Sequence, residues 1–490
     1  MRLSTALVAI GATVASALPQ IEIKGNQFYF TGNGSEFKIR GLAYQPGGQQ
    51  AFKSDGNDRF DPLSRPAQCR RDAAVIQSLG ANVIRVYNLH ADLNHDECVT
   101  VFNNAGIYLM LDVNSPVVNT HINKDNAKST YHHGYLENVF KVVEAFKGYS
   151  NVIGFFAGNE IIDDKKQARE NPPYIRAVTR DLKQYIKKHS DRFIAVGYAA
   201  TDTRSESGAG RDSVVDLWNY LGCSIDGEED DMSRADFFAV NIYSWCGDAT
   251  WESSGYPELV KNFAETSLPI FWSEHGCNEP VGSPRPFNEI AAMYGREEMI
   301  KTFAGGVVFE YTQEANKFGL VEMSNSKDIE GSNVKLLKDF ENLNKQYNSV
   351  DWNKIKNIKT DNMKVVKPPK CSSDMILGKS NFASDFSAIP KLPSQAQKFM
   401  DDGVSLNNKG KLLDKMDYQF KQKIMDPNGS EVTKQFALVE MPDAKVNDAP
   451  SNKGGSGGNS GKDGKSAASS VALGAAVVIA PVVAALAAML

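Results

Sequence analysis

The chain has 490 residues, 42% of them hydrophobic and 23% charged, which is enough apolar material for a large buried core. The formal net charge of -5 excludes a basic surface for phosphate contacts, so no nucleic-acid partner is expected. Aromatic residues make up 10% of the chain, most of them core material, with a few left for flat, sugar-stacking surfaces.

The first segment, 1–17, reads as a signal peptide. A basic start is followed by an apolar run from Ala6 to Val14 and an Ala15-Ser16-Ala17 cleavage site. Residues 18–347 then alternate short apolar or β-branched runs with amphipathic stretches. Eight strands are predicted: Phe37 to Tyr44, Asn82 to Leu89, Tyr108 to Val113, Val152 to Ala157, Phe193 to Tyr198, Phe237 to Tyr243, Ile270 to Ser273 and Gly306 to Tyr311. Their near-continuous apolar character is that of parallel strands buried on both faces. Helices are predicted between them, including Cys69 to Leu79, Leu136 to Phe146 and Tyr174 to His189. Eightfold alternation predicts an α/β fold, a (β/α)8 TIM barrel. An open doubly wound sheet has no Gly-rich phosphate loop to support it, since Gly47-Gly48 is not G-x-G-x-x-G.

Residues 348–448 begin with a Lys-rich polar stretch and continue with mixed character. They form a small C-terminal accessory segment in which Asn428-Gly429 predicts a turn and Glu431 to Val439 a strand. Residues 449–459 are rich in Gly and Ser and predict a flexible stalk. In 460–490, a polar spacer precedes an uncharged apolar run from Val471 to Leu490. Small residues at Asn459-Ser460-Gly461, the spacer and the apolar run together form a GPI-attachment signal, with Asn459 as the attachment residue and the tail cleaved. The expected location is the outer face of the plasma membrane, held by a GPI lipid.

The chain has six cysteines and no C-x-x-C pair, which fits disulfides in a secreted protein better than zinc or redox chemistry. Cys246 lies three residues after Tyr243, and Cys277 three after Glu274. Matched offsets on adjacent strands bring these two thiols together. The sequons at Asn33 and Asn428 are candidate glycosylation sites. His132-His133 has no partner at ligand spacing, so no metal is expected. Ser273-Glu274-His275 lacks the G-x-S-x-G nucleophile elbow.

Two carboxylates stand out by position. Glu160 closes the fourth predicted strand and Glu274 the seventh, and the C-terminal strand ends of such a barrel carry the active site. A pair of carboxyl groups about 5–5.5 Å apart is the requirement for retaining glycoside cleavage. The amide of Asn159, next to the acid, suits a sugar 2-hydroxyl.

Five motifs carry a resemblance. Arg40-Gly41-Leu42-Ala43-Tyr44-Gln45, Asn82-Val83-Ile84-Arg85-Val86-Tyr87, Gly154-Phe155-Phe156-Ala157-Gly158-Asn159-Glu160, Asn241-Ile242-Tyr243-Ser244-Trp245-Cys246-Gly247 and Ser273-Glu274-His275-Gly276-Cys277 resemble the fungal GPI-anchored β-1,3-glucanosyltransferases, glycoside hydrolase family 72. The similarity runs from about Ile21 to Cys371.

The resemblance implies a cofactor-free transferase acting on β-1,3-glucan donor and acceptor chains, with Glu160 as acid/base and Glu274 as nucleophile. It implies that Tyr243 hydrogen-bonds the nucleophile. It implies that Gln45, Tyr87, Asp112, Asn159 and Tyr311 line the sugar cleft, with Arg85 near the nucleophile, and Arg85 and Tyr243 are counted with them as substrate-binding residues. It gives the pairs Cys69–Cys98, Cys223–Cys371 and Cys246–Cys277, which leaves no cysteine for the cysteine-rich carbohydrate-binding module of some members. In this scheme the Glu274 charge keeps Glu160 protonated until Glu274 is esterified. Hydrolysis by an endo-β-1,3-glucanase shares the same first half-reaction. A non-catalytic wall-binding protein is the reading from another class, and the intact carboxylates oppose it.

Overall fold

The computed structural model describes residues 17–48, 60–203, 213–228, 230–356, 366–378 and 381–441. The stalk, the apolar tail, Asn459 and nearly all of the signal segment lie outside them.

The chain enters as a small antiparallel sheet, β1 (Ile21–Lys24), β2 (Gln27–Phe30) and β3 (Glu36–Phe37), that the sequence analysis did not anticipate. Eight parallel strands follow: β4 (Ile39–Ala43), β5 (Val83–Val86), β6 (Tyr108–Asp112), β7 (Val152–Asn159), β8 (Ala195–Thr201), β9 (Phe237–Asn241), β10 (Ile270–His275) and β11 (Gly305–Val308). They close into one barrel, with β11 pairing β4 from Gly305↔Ile39 to Val308↔Leu42. That closure depends on Gly305, whose φ is +111° and where an added Cβ would lie 2.1 Å from the Ile39 carbonyl oxygen.

Each predicted strand has its counterpart, with shifted ends. The fifth begins at Ala195, not Phe193, because Phe193 is 51% exposed and lies outside the sheet. The eighth stops at Val308, and beyond it Phe309 and Tyr311 donate singly to the His275 and Ala43 carbonyls.

Phe28, Phe30 and Phe37 of the first sheet are buried together with Tyr108, Phe156, Phe237 and Phe271 of the barrel strands. Phe28 stacks edge-on to Phe271 at 6.2 Å, and Phe156 edge-on to Phe237 at 5.2 Å. This plug fills the barrel from the end at which the strands begin, which leaves the opposite end open for chemistry. Truncating a fully buried Phe here would cost about 3–5 kcal/mol.

A larger apolar layer lies between the barrel and its helices. Helix Pro66–Leu79 is typical of these, with Pro at its first turn and Gly80 in the left-handed conformation at its end. His132 caps helix His133–Phe146 by accepting the Tyr135 N–H, so its imidazole has a structural role.

The segment after the barrel does not form a second core. Cys371 is joined to Cys223, and the chain then passes over the outside of the helices in reverse sequence order. Leu377 and Gly378 donate to the Asp216 carboxylate, Arg180 donates to the Pro390 carbonyl, and Val404 donates to Tyr185 Oη at 2.9 Å. Lys411 donates to Asp96, and Val439 pairs with the Gln77 side chain in both directions. Along this path β14 (Ile424–Met425) joins β12 (Val321–Met323) and β13 (Val334–Leu336) in a second small sheet.

The turn at Asn428-Gly429 is present, with Gly429 at φ +86°. The strand expected over Glu431 to Val439 is absent. Glu431 makes one bridge to Met425, a 3-10 turn follows at Thr433–Gln435, and Val439 bonds a glutamine side chain in place of a neighbouring strand. The Cys223–Cys371 bond closes a separation of 148 residues, worth about 5 kcal/mol in the chain-entropy description. Among the described residues no helix is long and apolar enough to cross a membrane.

Candidate active site

The open end of the barrel gathers polar side chains from the ends of β5, β6, β7, β9 and β10. At its floor lies Arg85 of β5, fully buried. Its Nε and Nη2 donate to both Asp112 oxygens at 3.0 and 3.2 Å. Nη2 also donates to Asn159 Oδ1 at 2.8 Å, and Nη1 to Glu274 Oε1 at 3.3 Å. The guanidinium lies between the Tyr87 and Phe156 rings, 4.4 and 4.3 Å from their centroids. Such a residue sets the geometry of others and has no surface left for a sugar. Its place as a cleft-lining residue is corrected on that ground.

Glu274, 4% exposed, receives three side-chain donors. These are Arg85 Nη1, Tyr87 Oη at 3.0 Å and Tyr243 Oη at 2.8 Å. Burial pushes its carboxyl up to about 7, opposed by Arg85 and the two phenols and reinforced by the negative charge of Glu160. Burial and the Glu274 carboxylate hold Tyr243 well above the ordinary phenol value, so it remains a neutral donor.

Glu160 leaves the end of β7 with φ +49°, a conformation few side-chain-bearing residues adopt. Its N–H donates to the Ala199 carbonyl at 3.0 Å, and its Oε1 accepts from Asn241 Nδ2 at 2.8 Å. Its carboxyl is also raised. Burial, with no Glu274 charge among the leading causes, accounts for the direction, and Asn241 and Arg85 oppose it. Three donors converge on Glu274, while one amide reaches Glu160. The charge of either carboxylate opposes ionisation of the other, so the two titrate as a pair.

A cavity of about 460 Å³ opens beside Glu160, lined among others by Tyr87, Asp112, Asn159, His121 and Lys124. Asn159 lines this space, and its Oδ1 accepts from Arg85 and Asn241. Gln45, 5% exposed, accepts the Tyr87 and Asn88 backbone N–H groups, and its own Nε2 is buried without a hydrogen-bond partner among the described residues.

Tyr311 stands apart from this group. It is 1% exposed and donates to Asp72 Oδ1 at 2.6 Å, packed against Tyr44 beneath helix Pro66–Leu79. The expected sugar contact is corrected to a scaffold role.

Phe309 and Phe318 were not anticipated. Phe309 packs edge-on to both Tyr87 and Tyr243, at 6.3 and 6.4 Å, and Phe318 flanks Tyr243 at 5.5 Å. Asn241, the last residue of β9, was also missed, although it lies two residues before Tyr243.

Cys246 and Cys277 are bonded just beyond Tyr243 and Glu274, and Cys69 is bonded to Cys98. Asn33 and Asn428 are both exposed.

Comparison with known proteins reads this arrangement further. The Glyco_hydro_72 family, described as Glucanosyltransferase, matches residues 10–351. The chain belongs to this glucanosyltransferase family. It is 45% identical over 433 residues to the 1,3-beta-glucanosyltransferase gel2 of Aspergillus fumigatus, covering 88% of this chain and 85% of the relative. It is 39% identical to the 1,3-beta-glucanosyltransferase GAS4 of Saccharomyces cerevisiae, with 88% of each chain covered. Among solved structures, a mutant of Saccharomyces cerevisiae Gas2p in complex with laminaritetraose and laminaripentaose superposes with a TM-score of 0.63. The identity is 31%, over 78% of this chain and 76% of that one. This glucanosyltransferase family member therefore shares its barrel with a protein whose ligands are β-1,3-linked glucose oligomers.

Proposed function

We propose that the chain is a retaining β-1,3-glucanosyltransferase that lengthens cell-wall glucan. The observation that carries this reading is the unequal hydrogen bonding of the two glutamates. Arg85, Tyr87 and Tyr243 stabilise a carboxylate at Glu274, and Glu160 is left to hold the proton.

In the first step Glu160 donates its proton to the glycosidic oxygen of an internal β-1,3 linkage. Glu274 attacks the anomeric carbon, the C–O bond breaks, and the fragment beyond it leaves with a new hydroxyl. The remaining donor is held as an ester on Glu274. The Glu160 carboxylate then takes a proton from the 3-hydroxyl at the non-reducing end of a second glucan. That oxygen displaces Glu274, a β-1,3 bond forms, and Glu160 regains its proton. Two inversions return the original configuration.

Asn159 Nδ2, the free Gln45 Nε2 and the Asp112 carboxylate are the groups assigned to sugar hydroxyls. In this proposal 1–17 is removed on secretion and 460–490 on attachment of a GPI lipid to Asn459. Asn33 and Asn428 carry glycans, and the barrel stands outside the membrane on the 449–459 stalk. Incubation with reduced laminari-oligosaccharides tests transfer. Products longer than the substrate are expected, and exclusive formation of shorter ones would make the enzyme a hydrolase.

A further inference from the structure

Asn241 ends β9, where its register neighbours are Glu274 on β10 and Thr201 on β8. It is 3% exposed. Its Nδ2 lies 2.8 Å from Glu160 Oε1 and 3.3 Å from Asn159 Oδ1, and its Oδ1 accepts from Ser273 Oγ at 2.7 Å.

The orientation of this amide follows from chemistry. Arg85 is a donor only, so the atom of Asn159 facing its Nη2 at 2.8 Å must be the carbonyl oxygen. That oxygen, together with a Glu160 oxygen, faces one end of the Asn241 amide. Two acceptors can only be met by the nitrogen. The guanidinium thus fixes two amides in sequence, and the second of them ends on the acid.

We infer that Asn241 is a positioning residue for Glu160: its N–H occupies one carboxyl oxygen, so the transferable proton is carried by the other. A proton on Oε1 would point at the amide N–H, donor against donor. On the second oxygen it is free to meet the glycosidic oxygen. The backbone of Glu160, turned to φ +49°, sets where the carboxyl sits, and Asn241 sets which oxygen delivers the proton. This inference rests on the proposed acid/base role of Glu160.

The test compares two donors. Laminaripentaose has a poor leaving group that needs the proton. A 2,4-dinitrophenyl β-laminari-oligosaccharide loses its aglycone without one. In both cases kcat/KM reports formation of the glycosyl-enzyme. Asn241→Ala is expected to lower kcat/KM on laminaripentaose by about 100-fold, within the range for general acid catalysis, and by less than about threefold on the dinitrophenyl donor.

Asn241→Ser, which keeps a polar group for Ser273, is expected to give the same split if the alanine variant fails to fold. Equal losses on both donors, or no loss on either, would overturn the inference. Glu160→Gln, run in parallel, separates the two claims. If it retains wild-type turnover of laminaripentaose, the acid assignment itself fails, whatever Asn241 does.

Discussion

Replacing Glu274 with Gln removes a carboxylate that the fold holds at a cost. The side chain is 4% exposed, and burial raises its value from 4.5 in the open chain to about 7. A group whose folded value is raised releases its proton first in the unfolded chain. Stability is therefore complete below about 4.5 and falls as pH rises through about 7. The interval corresponds to about 3 kcal/mol. Glutamine places its oxygen at the Oε1 position, where Arg85 and Tyr87 donate, and its amide nitrogen at the Oε2 position, where the Tyr243 hydroxyl turns to accept. Arg85 keeps both oxygens of Asp112. The variant should escape the penalty with that one hydrogen bond reversed.

Equilibrium urea unfolding of both proteins, disulfides intact, at pH 4 and pH 8 measures this. The stability of the variant relative to wild type is expected to rise by about 3 kcal/mol between the two pH values, whatever its value at pH 4. Titrating groups that do not interact with Glu274 cancel in that difference. A difference that stays flat, or falls, with increasing pH would refute the assignment of a raised value to Glu274.

Tyr243→Phe removes one donor from the Glu274 anion. Its loss should lower kcat by about 10- to 100-fold, the equivalent of a hydrogen bond to a charged group. Because that bond favours ionisation, the acid limb of the kcat/KM profile should move to higher pH, and a pH–rate series in wild type and variant checks the direction. Asp216→Ala frees the Leu377 and Gly378 amides at the start of the outer segment. Faster hydrogen exchange there, at nearly unchanged turnover, is expected if that segment supports the helices and leaves the cleft alone.

The barrel was legible because its strands are buried on both faces and so read as unbroken apolar runs flanked by amphipathic helices. Glu160 and Glu274 were legible for the same reason, since each directly follows or ends such a run. The first sheet escaped notice although Gly25-Asn26 between two short runs is a hairpin turn, with Gly25 at φ +60°.

The cleft role of Tyr311 came from the resemblance, and the strand predicted to reach it ends at Val308. Tyr311 bonds the Ala43 carbonyl through its backbone, and its hydroxyl bonds Asp72 of helix Pro66–Leu79. Arg85 does lie beside Glu274, but its complete burial depends on partners from β6, β7 and β10 that no local pattern contains. The segment after Cys371 has no periodicity to read. It is held by side chains of the barrel helices and by one disulfide, and those partners lie hundreds of residues away in the chain.

The double displacement is tested most directly by trapping its intermediate. A 2-deoxy-2-fluoro laminari-oligosaccharyl fluoride slows both steps but turnover more, so the ester accumulates. Mass spectrometry of peptides from the inactivated protein is expected to place the sugar on Glu274, with no adduct in Glu274→Gln. An adduct on another residue, or steady turnover by Glu274→Gln, would contradict the account.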